Sequence, residues 1–125
     1  TLFINDSEEE NFLTELLIDE DNIPIQADFI IDGSMAEDYL DQLKPEELPD
    51  FIFLDINMPL MDGFQFMEIY SKKYCSMSQR TKLYFLSSSI RASDKERVEA
   101  MECAAGYLTK PFTAEMFQSL IEDEK

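Results

Sequence analysis

The stretch FLDINMPLMDGF, residues 53–64, places a single carboxylate, Asp55, directly after an apolar run. A carboxylate at the edge of a buried strand is costly unless a partner binds it. Asn57 and Gly63 follow at short intervals, and a glycine lets the chain turn into a helix without a Cβ clash. We interpret residues 53–64 as the end of a central strand, a tight loop and the start of a helix. Asp55 is then either a solvated loop residue or a residue that holds a metal or reacts.

The composition is that of one globular domain spanning residues 1–125, of which 45% are hydrophobic. The longest apolar runs are far shorter than the roughly 20 residues of a membrane helix. No signal peptide is visible, so we expect a cytoplasmic protein that does not engage a membrane. The absence of histidine from the sequence excludes histidine-based catalysis, histidine metal ligands and a phosphohistidine in this chain. Cys75 and Cys103 lack metal-binding spacing, and in a reducing compartment we expect free thiols.

The net charge of −17 is unevenly distributed along the chain. Residues 1–71 carry −18, with Lys44 as their one cation, whereas residues 72–125 carry +1. Nucleic-acid binding needs a basic surface, so the acidic half argues against it. The near-neutral half is the better candidate for a protein–protein surface.

Strand-like and helix-like segments alternate along the chain. The five strand-like segments are residues 2–4, 25–31, 51–54, 83–86 and 107–108. Such alternation predicts an α/β fold in which a parallel sheet carries helices on both faces. Ser7 and Glu10 have the spacing of a capping box, and an apolar stripe predicts an amphipathic first helix behind them. The stripe consists of Phe12, Leu13, Leu16 and Leu17.

Polar residues follow four of the five predicted strands. Asp6 follows the first strand, Asp55 the third, Ser87 the fourth and Lys110 the fifth. Parallel strands bring these ends to one edge of the sheet, where α/β proteins bind ligands. Two carboxylates there suit Mg²⁺, and an added ammonium suits a phosphoryl group. Asp55 would be the nucleophile that accepts it.

The sequence resembles the receiver domains of two-component response regulators over essentially its whole length. Residues 55–63 resemble the phosphoacceptor loop of that family, residues 86–88 its Ser/Thr site and residues 107–111 its fifth-strand signature. The resemblance implies a doubly wound (βα)5, flavodoxin-like sandwich with strand order 2-1-3-4-5. It also implies that the Lys110–Pro111 peptide bond is cis.

Carried over residue by residue, the resemblance makes Asp55 the phosphorylated residue and Lys110 its charge partner. Ser87 becomes the switch hydroxyl and Tyr107 the switch aromatic. Mg²⁺ would be held by the residues Asp6, Asp55 and Asn57, the last through its backbone carbonyl. The family usually ends its first strand with two acids, whereas this chain has Asn5 before Asp6, which predicts weaker metal binding.

The function that follows is a phosphoacceptor module of a signalling pathway, not an enzyme beyond its own phosphorylation and dephosphorylation. The implied phosphodonor is a sensor histidine kinase or a histidine phosphotransfer protein. The implied response surface is helix 4, strand 5 and helix 5, roughly residues 93–121, through which the chain could form a homodimer. Asn5 leaves open an alternative: a receiver-like binding module that is not phosphorylated. A haloacid-dehalogenase-type phosphatase is disfavoured, because it needs an acid where Asn57 stands.

Overall fold

The computed structural model describes residues 1–56, 58, 61–77, 80–87, 92–110 and 112–123. Strands and helices alternate along the chain as predicted. The strands are β1 (Leu2–Ile4), β2 (Asp28–Ile30), β3 (Phe51–Asp55), β4 (Lys82–Ser87) and β5 (Ala104–Thr109). The helices are α1 (Glu8–Glu20), α2 (Gly33–Asp41), α3 (Gly63–Lys73), α4 (Ala92–Glu99) and α5 (Ala114–Asp123), with a 3₁₀ turn at Pro45–Glu47.

The five strands form one parallel sheet in the order β2-β1-β3-β4-β5. This confirms the predicted flavodoxin-like order. The central strand β3 is buried along its whole length, as its continuous apolar sequence predicts for a strand covered on both faces. The edge strand β2 is only half-buried and is shorter than the predicted segment 25–31.

Each face of the sheet carries its own hydrophobic core. Alternate strand residues point to opposite faces, so the sheet divides its apolar side chains between two layers. One core joins Ile52 and Leu54 to α2, α3 and α4. The other joins Phe53 to α1 and α5 and contains stacked aromatic rings, with Phe3 and Phe53 at a centroid separation of 5.1 Å. Both faces of the sheet are therefore covered by helices, as a doubly wound fold requires.

Helix α1 is rotated relative to the prediction from its apolar stripe. Three residues of that stripe are exposed, with Phe12 at 62%, Leu13 at 55% and Leu16 at 41%. The buried positions of α1 are instead Asn11 and Ile18, seven residues apart and therefore on one face. Asn11 Nδ2 donates a 3.0 Å hydrogen bond to the carbonyl oxygen of Asn5, and this polar contact orients the helix.

The prediction of free cysteines is wrong. Cys75, just after α3, and Cys103, just before β5, form a disulfide whose Cα atoms are 6.0 Å apart. The two residues are 28 positions apart in sequence, and neither lies in a motif that signals a bond. Chain topology brings them together, because α3 and the α4–β5 connection both return to the edge of the sheet where β4 and β5 begin. The disulfide therefore ties α3 to the start of β5.

Candidate functional site

Four of the predicted site residues lie at the carboxyl edge of the sheet. Asp55 is the last residue of β3, and Ser87 is the last residue of β4. Asp6 follows Asn5, whose backbone N–H donates to the carbonyl oxygen of Ile30 on β2. Lys110 follows β5, and its backbone N–H donates a 2.8 Å hydrogen bond to the carbonyl oxygen of Ser87. The strand ends thus gather the polar residues that the sequence assigned to one site.

Asp55 and Lys110 form an ion pair at this edge. Lys110 Nζ lies 3.4 Å from Asp55 Oδ1, and the two side chains are only 14% and 6% exposed. Burial of a carboxylate costs free energy, which the neighbouring ammonium offsets. The pair holds a carboxylate and a cation together beside the apolar core.

Lys110 also contacts a residue that the sequence reasoning did not include in the site. Its Nζ lies 2.8 Å from Oε1 and 3.1 Å from Oε2 of Glu10, in the first turn of α1. The sequence spacing predicts that Glu10 is half of a capping box with Ser7. Ser7 does cap α1, since its Oγ accepts from the backbone N–H of Glu10 at 3.2 Å. The backbone N–H of Ser7, however, donates to Asn5 Oδ1, and the Glu10 carboxylate turns to Lys110.

The pKa of Glu10 reflects these contacts. Burial of its carboxyl raises the pKa, but the hydrogen bond and charge of Lys110 lower it, as do hydrogen bonds from Asn5 and Ser7. The net effect is a pKa below its ordinary value, so Glu10 is ionised at neutral pH. Asn5 Nδ2 lies 3.3 Å from Glu10 Oε2 and supplies one of these bonds. An acid at position 5 would place a second carboxylate beside that of Glu10.

Gly63 is required by close packing of the backbone against the site. A Cβ on Gly63 would lie 2.6 Å from the carbonyl oxygen of Asp55 and 2.9 Å from the Cα of Ile56. The N–H of Gly63 donates a 2.9 Å hydrogen bond to the carbonyl oxygen of Ile56. Asp62 caps α3 through the backbone N–H of Gln65. The first residues of α3 therefore rest directly on the end of β3 and hold Asp55 in position.

The donor set at the strand ends fits Mg²⁺. Asp6 is exposed and Asp55 is buried, and they lie at the carboxyl ends of adjacent hydrogen-bonded strands in which Ile4 is paired with Leu54. Mg²⁺ is typically held by one or two carboxylates and keeps several waters. Within the described residues no cluster of three or more Asp, Glu, Cys or His side chains could hold a metal, so carbonyl and water oxygens would complete the coordination. Asn57 lies outside the described residues.

The two predicted switch residues differ in burial. Ser87 is 1% exposed, whereas Tyr107, on β5, is half-buried and packs against the core shared with α3 and α4. The Nζ of Lys95, on α4, lies 5.6 Å from the centre of the Tyr107 ring. Tyr107 therefore already contacts α4, one of the elements of the predicted response surface. Pro111, and with it the predicted cis peptide bond, lies outside the described residues.

A cavity of about 330 Å³ opens between α1, the sheet and the beginning of α5. Its apolar lining includes Leu13, Leu17 and Phe112, and its polar end includes Glu10 and Lys110. Beside the site, α1 therefore leaves part of the sheet uncovered.

The sequence is similar to a known protein family and to curated proteins. The family whose sequence model matches the chain is described as the response regulator receiver domain, and the match covers residues 2–122. One curated relative is a probable transcriptional regulator ycf29 from Porphyra purpurea, 28% identical over 120 residues, which are 95% of this chain and 52% of that protein. Another is a protein-glutamate methylesterase/protein-glutamine glutaminase from Archaeoglobus fulgidus, 39% identical over 64 residues, which are 50% of this chain and 17% of that protein. The chain thus spans about half or less of the length of these relatives.

Solved structures share the fold. A two-component response regulator from Cytophaga hutchinsonii has a TM-score of 0.88 and 27% identity, with 98% of this chain and 92% of that chain covered. A response regulator receiver protein from Dyadobacter fermentans has a TM-score of 0.86 and 26% identity, with 98% and 94% covered. Among the helices that the structure describes, none is long and apolar enough to cross a membrane.

Proposed function

Because this chain belongs to the response regulator receiver domain family, we propose that it is a signalling module whose Asp55 accepts a phosphoryl group from a partner phosphohistidine protein. The observation that carries the proposal is the ion pair at the end of β3. The Asp55 side chain is only 6% exposed, and the Lys110 ammonium lies 3.4 Å from its carboxylate. A solvated loop aspartate, the alternative left open by the sequence, would be exposed.

In the proposed reaction an oxygen of the Asp55 carboxylate forms a bond to phosphorus. The bond from phosphorus to the donor nitrogen breaks, and the donor imidazole leaves with that electron pair. Lys110, whose Nζ lies 3.4 Å from Asp55 Oδ1, would pair with the oxygens of the arriving phosphoryl group, and the Ser87 hydroxyl would donate to one of them. The chain promotes only this transfer and the later hydrolysis, which needs water as the attacking group.

The metal in this proposal is Mg²⁺. It would be held by Asp6, Asp55 and the backbone carbonyl of Asn57, and when bound it screens the negative charge of the transferring oxygens. Asp6 and Asp55 otherwise repel each other, so the metal also stabilises the ionised pair. Asn5 contributes an amide where an acid would add a further charge.

We further propose that the signal leaves through α4, β5 and α5. A phosphoryl group adds charge and acceptor oxygens at Asp55. Movement of Ser87 toward those oxygens would vacate space that Tyr107 can fill, and the repacking would be a two-state change biased by phosphorylation. The partner is either a downstream protein or a second copy of the chain, and the near-neutral charge of residues 72–125 favours such contacts.

The test is incubation with acetyl phosphate and Mg²⁺, followed by intact mass measurement. We expect one added phosphate in the wild type and none in Asp55→Asn, which keeps the shape of the side chain but removes the nucleophile. Asp62→Asn, a carboxylate-to-amide change in the same loop, is the matched control and should still be labelled. Undiminished labelling of Asp55→Asn would place the acceptor at another residue.

Asn5 supports a second candidate function, a receiver-like binding module that is not phosphorylated. The same experiment separates the two. A wild-type protein that gains no phosphate at saturating Mg²⁺, while its circular dichroism shows a folded chain, would favour the binding module.

A further inference from the structure

The ammonium of Lys110 is shared between two carboxylates, and the nearer one is not part of the family's motif. Its Nζ lies 2.8 and 3.1 Å from the two carboxylate oxygens of Glu10, but 3.4 Å from Asp55 Oδ1. The side chain of Lys110 is 14% exposed and that of Glu10 is 42% exposed, so water screens the contact between them in part. In the unphosphorylated chain the ammonium is therefore bound more closely to α1 than to the phosphoacceptor.

Glu10 is held in this position by its own neighbours. The hydroxyl of Ser7 accepts from its backbone N–H, and Asn5 Nδ2 lies 3.3 Å from its Oε2. The amide of Asn5 is therefore matched to Glu10, since a carboxylate at position 5 would repel it. Asn5, in the place of the family's usual acid, therefore allows the Glu10 carboxylate to lie beside it and bind Lys110.

We propose that Glu10 is a positioning residue that competes with the phosphoryl group for Lys110. The inference rests on the proposed phosphorylation of Asp55. Phosphoryl oxygens at Asp55 need the same ammonium that Glu10 holds with both of its oxygens. In this proposal phosphorylation draws Lys110 away from Glu10, and the free energy of that contact is subtracted from the stability of the phosphorylated state. Glu10 does not touch the reacting atoms and acts only through Lys110.

The competition is measured with beryllofluoride, a non-covalent mimic of the phosphoryl group, at saturating Mg²⁺. The variant is Glu10→Gln, and the control is Glu9→Gln, which removes the same charge from an exposed neighbouring position of the same helical turn. Glu10→Gln should bind beryllofluoride about two- to fivefold more tightly than Glu9→Gln, the range expected for a partly exposed ion pair. Amide spectra of the protein during the titration give the affinity.

A second measurement distinguishes competition from a general disturbance of α1. The ¹⁵N signal of the Lys110 ammonium should shift in ligand-free Glu10→Gln and stay in place in Glu9→Gln. Equal beryllofluoride affinities in the two variants, or an unmoved Lys110 signal, would overturn the inference. If the wild type is phosphorylated on Asp55 and the variants are equal, only the role of Glu10 fails. If the wild type neither accepts phosphate nor binds beryllofluoride, the proposed function fails and the inference fails with it.

Discussion

Reduction of the disulfide between Cys75 and Cys103 should lower the stability of the protein by a predictable amount. The bond closes a loop of 28 residues. In the chain-entropy description, a cross-link stabilises a protein by restricting its unfolded state, and a loop of this length corresponds to about 3.5 kcal/mol at 25 °C. Both cysteines are half-buried, so the reduced thiols can remain close to their native positions.

This loss is large enough to measure by thermal unfolding. For a chain of 125 residues, 1 kcal/mol corresponds to a change in Tm of roughly 4 °C, so the reduced protein should melt about 13 °C lower. A cleft of about 210 Å³ beside the bond, lined by Tyr70, Thr81 and Glu102, gives a small dithiol access to the sulfur atoms of the folded protein. Intact mass measurement establishes the redox state of each sample.

The matched control is the double variant Cys75→Ser/Cys103→Ser. It should melt near the temperature of the reduced wild type, and reductant should leave its Tm unchanged. Mass measurement must first show that the bond is present in the oxidised wild type and absent in the reduced one. Equal melting temperatures of these two samples would then refute the reasoning. A reductant-induced shift of equal size in the double variant would assign the effect to the reductant itself.

Four further perturbations test the site and its surroundings. Asn5→Asp should tighten Mg²⁺ binding in a titration by roughly fivefold, because one more charge near a dication is worth about 1 kcal/mol in a water-screened site. The same change should lower the Tm of the metal-free protein by repulsion from the neighbouring carboxylates. Unchanged Mg²⁺ affinity would place position 5 outside the influence of the metal. Lys110→Ala should still accept phosphate but lose most of the beryllofluoride-induced amide shifts, and wild-type-like shifts would exclude its coupling role. Tyr107→Ala should leave phosphorylation intact while weakening any phosphorylation-dependent self-association seen by light scattering; association of wild-type strength would direct the signal to another surface. Burial raises the pKa of Tyr70 and of Tyr74 to about 12, so the folded state holds these phenol protons more tightly than the unfolded state. The contribution of these two residues to the free energy of unfolding is complete below about pH 10 and should be lost as the pH rises through 12. Urea unfolding between pH 8 and 12 should show this decline, and an equally steep decline after Phe replacement of both tyrosines would contradict it.

The strand-end residues could be predicted because parallel strands impose a simple rule. The carboxyl ends of all the strands lie at one edge, so residues that directly follow apolar runs are neighbours however far apart they are in sequence. Asp55 and Lys110 illustrate the rule, since they are 55 positions apart and yet form an ion pair. The sequence also predicts that a Cβ at Gly63 would clash, and the structure confirms it, because the start of α3 packs directly on the end of β3.

The partner of Lys110 on α1 could not be predicted in this way. The spacing of Ser7 and Glu10 is that of a capping box, and local pattern assigns a carboxylate there to the end of its own helix. Only the folded chain shows that Glu10 reaches a lysine 100 positions away. The one sequence signal that could have suggested it is Asn5, because a missing acid in an otherwise complete motif invites a search for a nearby carboxylate.

The sequence by itself determined the order of the elements and the strand ends at which the polar residues stand, because strand and helix periodicities are local properties of the chain. The tertiary structure decided how those elements face one another. An apolar stripe shows that α1 is helical, but in the packed chain Asn11 faces the end of β1, where it donates to the carbonyl oxygen of Asn5, and Phe12 and Leu13 are exposed. The disulfide likewise depends on where two distant connections meet. Contacts of this kind join residues that the local sequence pattern does not relate to each other. They depend on which surfaces pack together, and only the folded chain determines that.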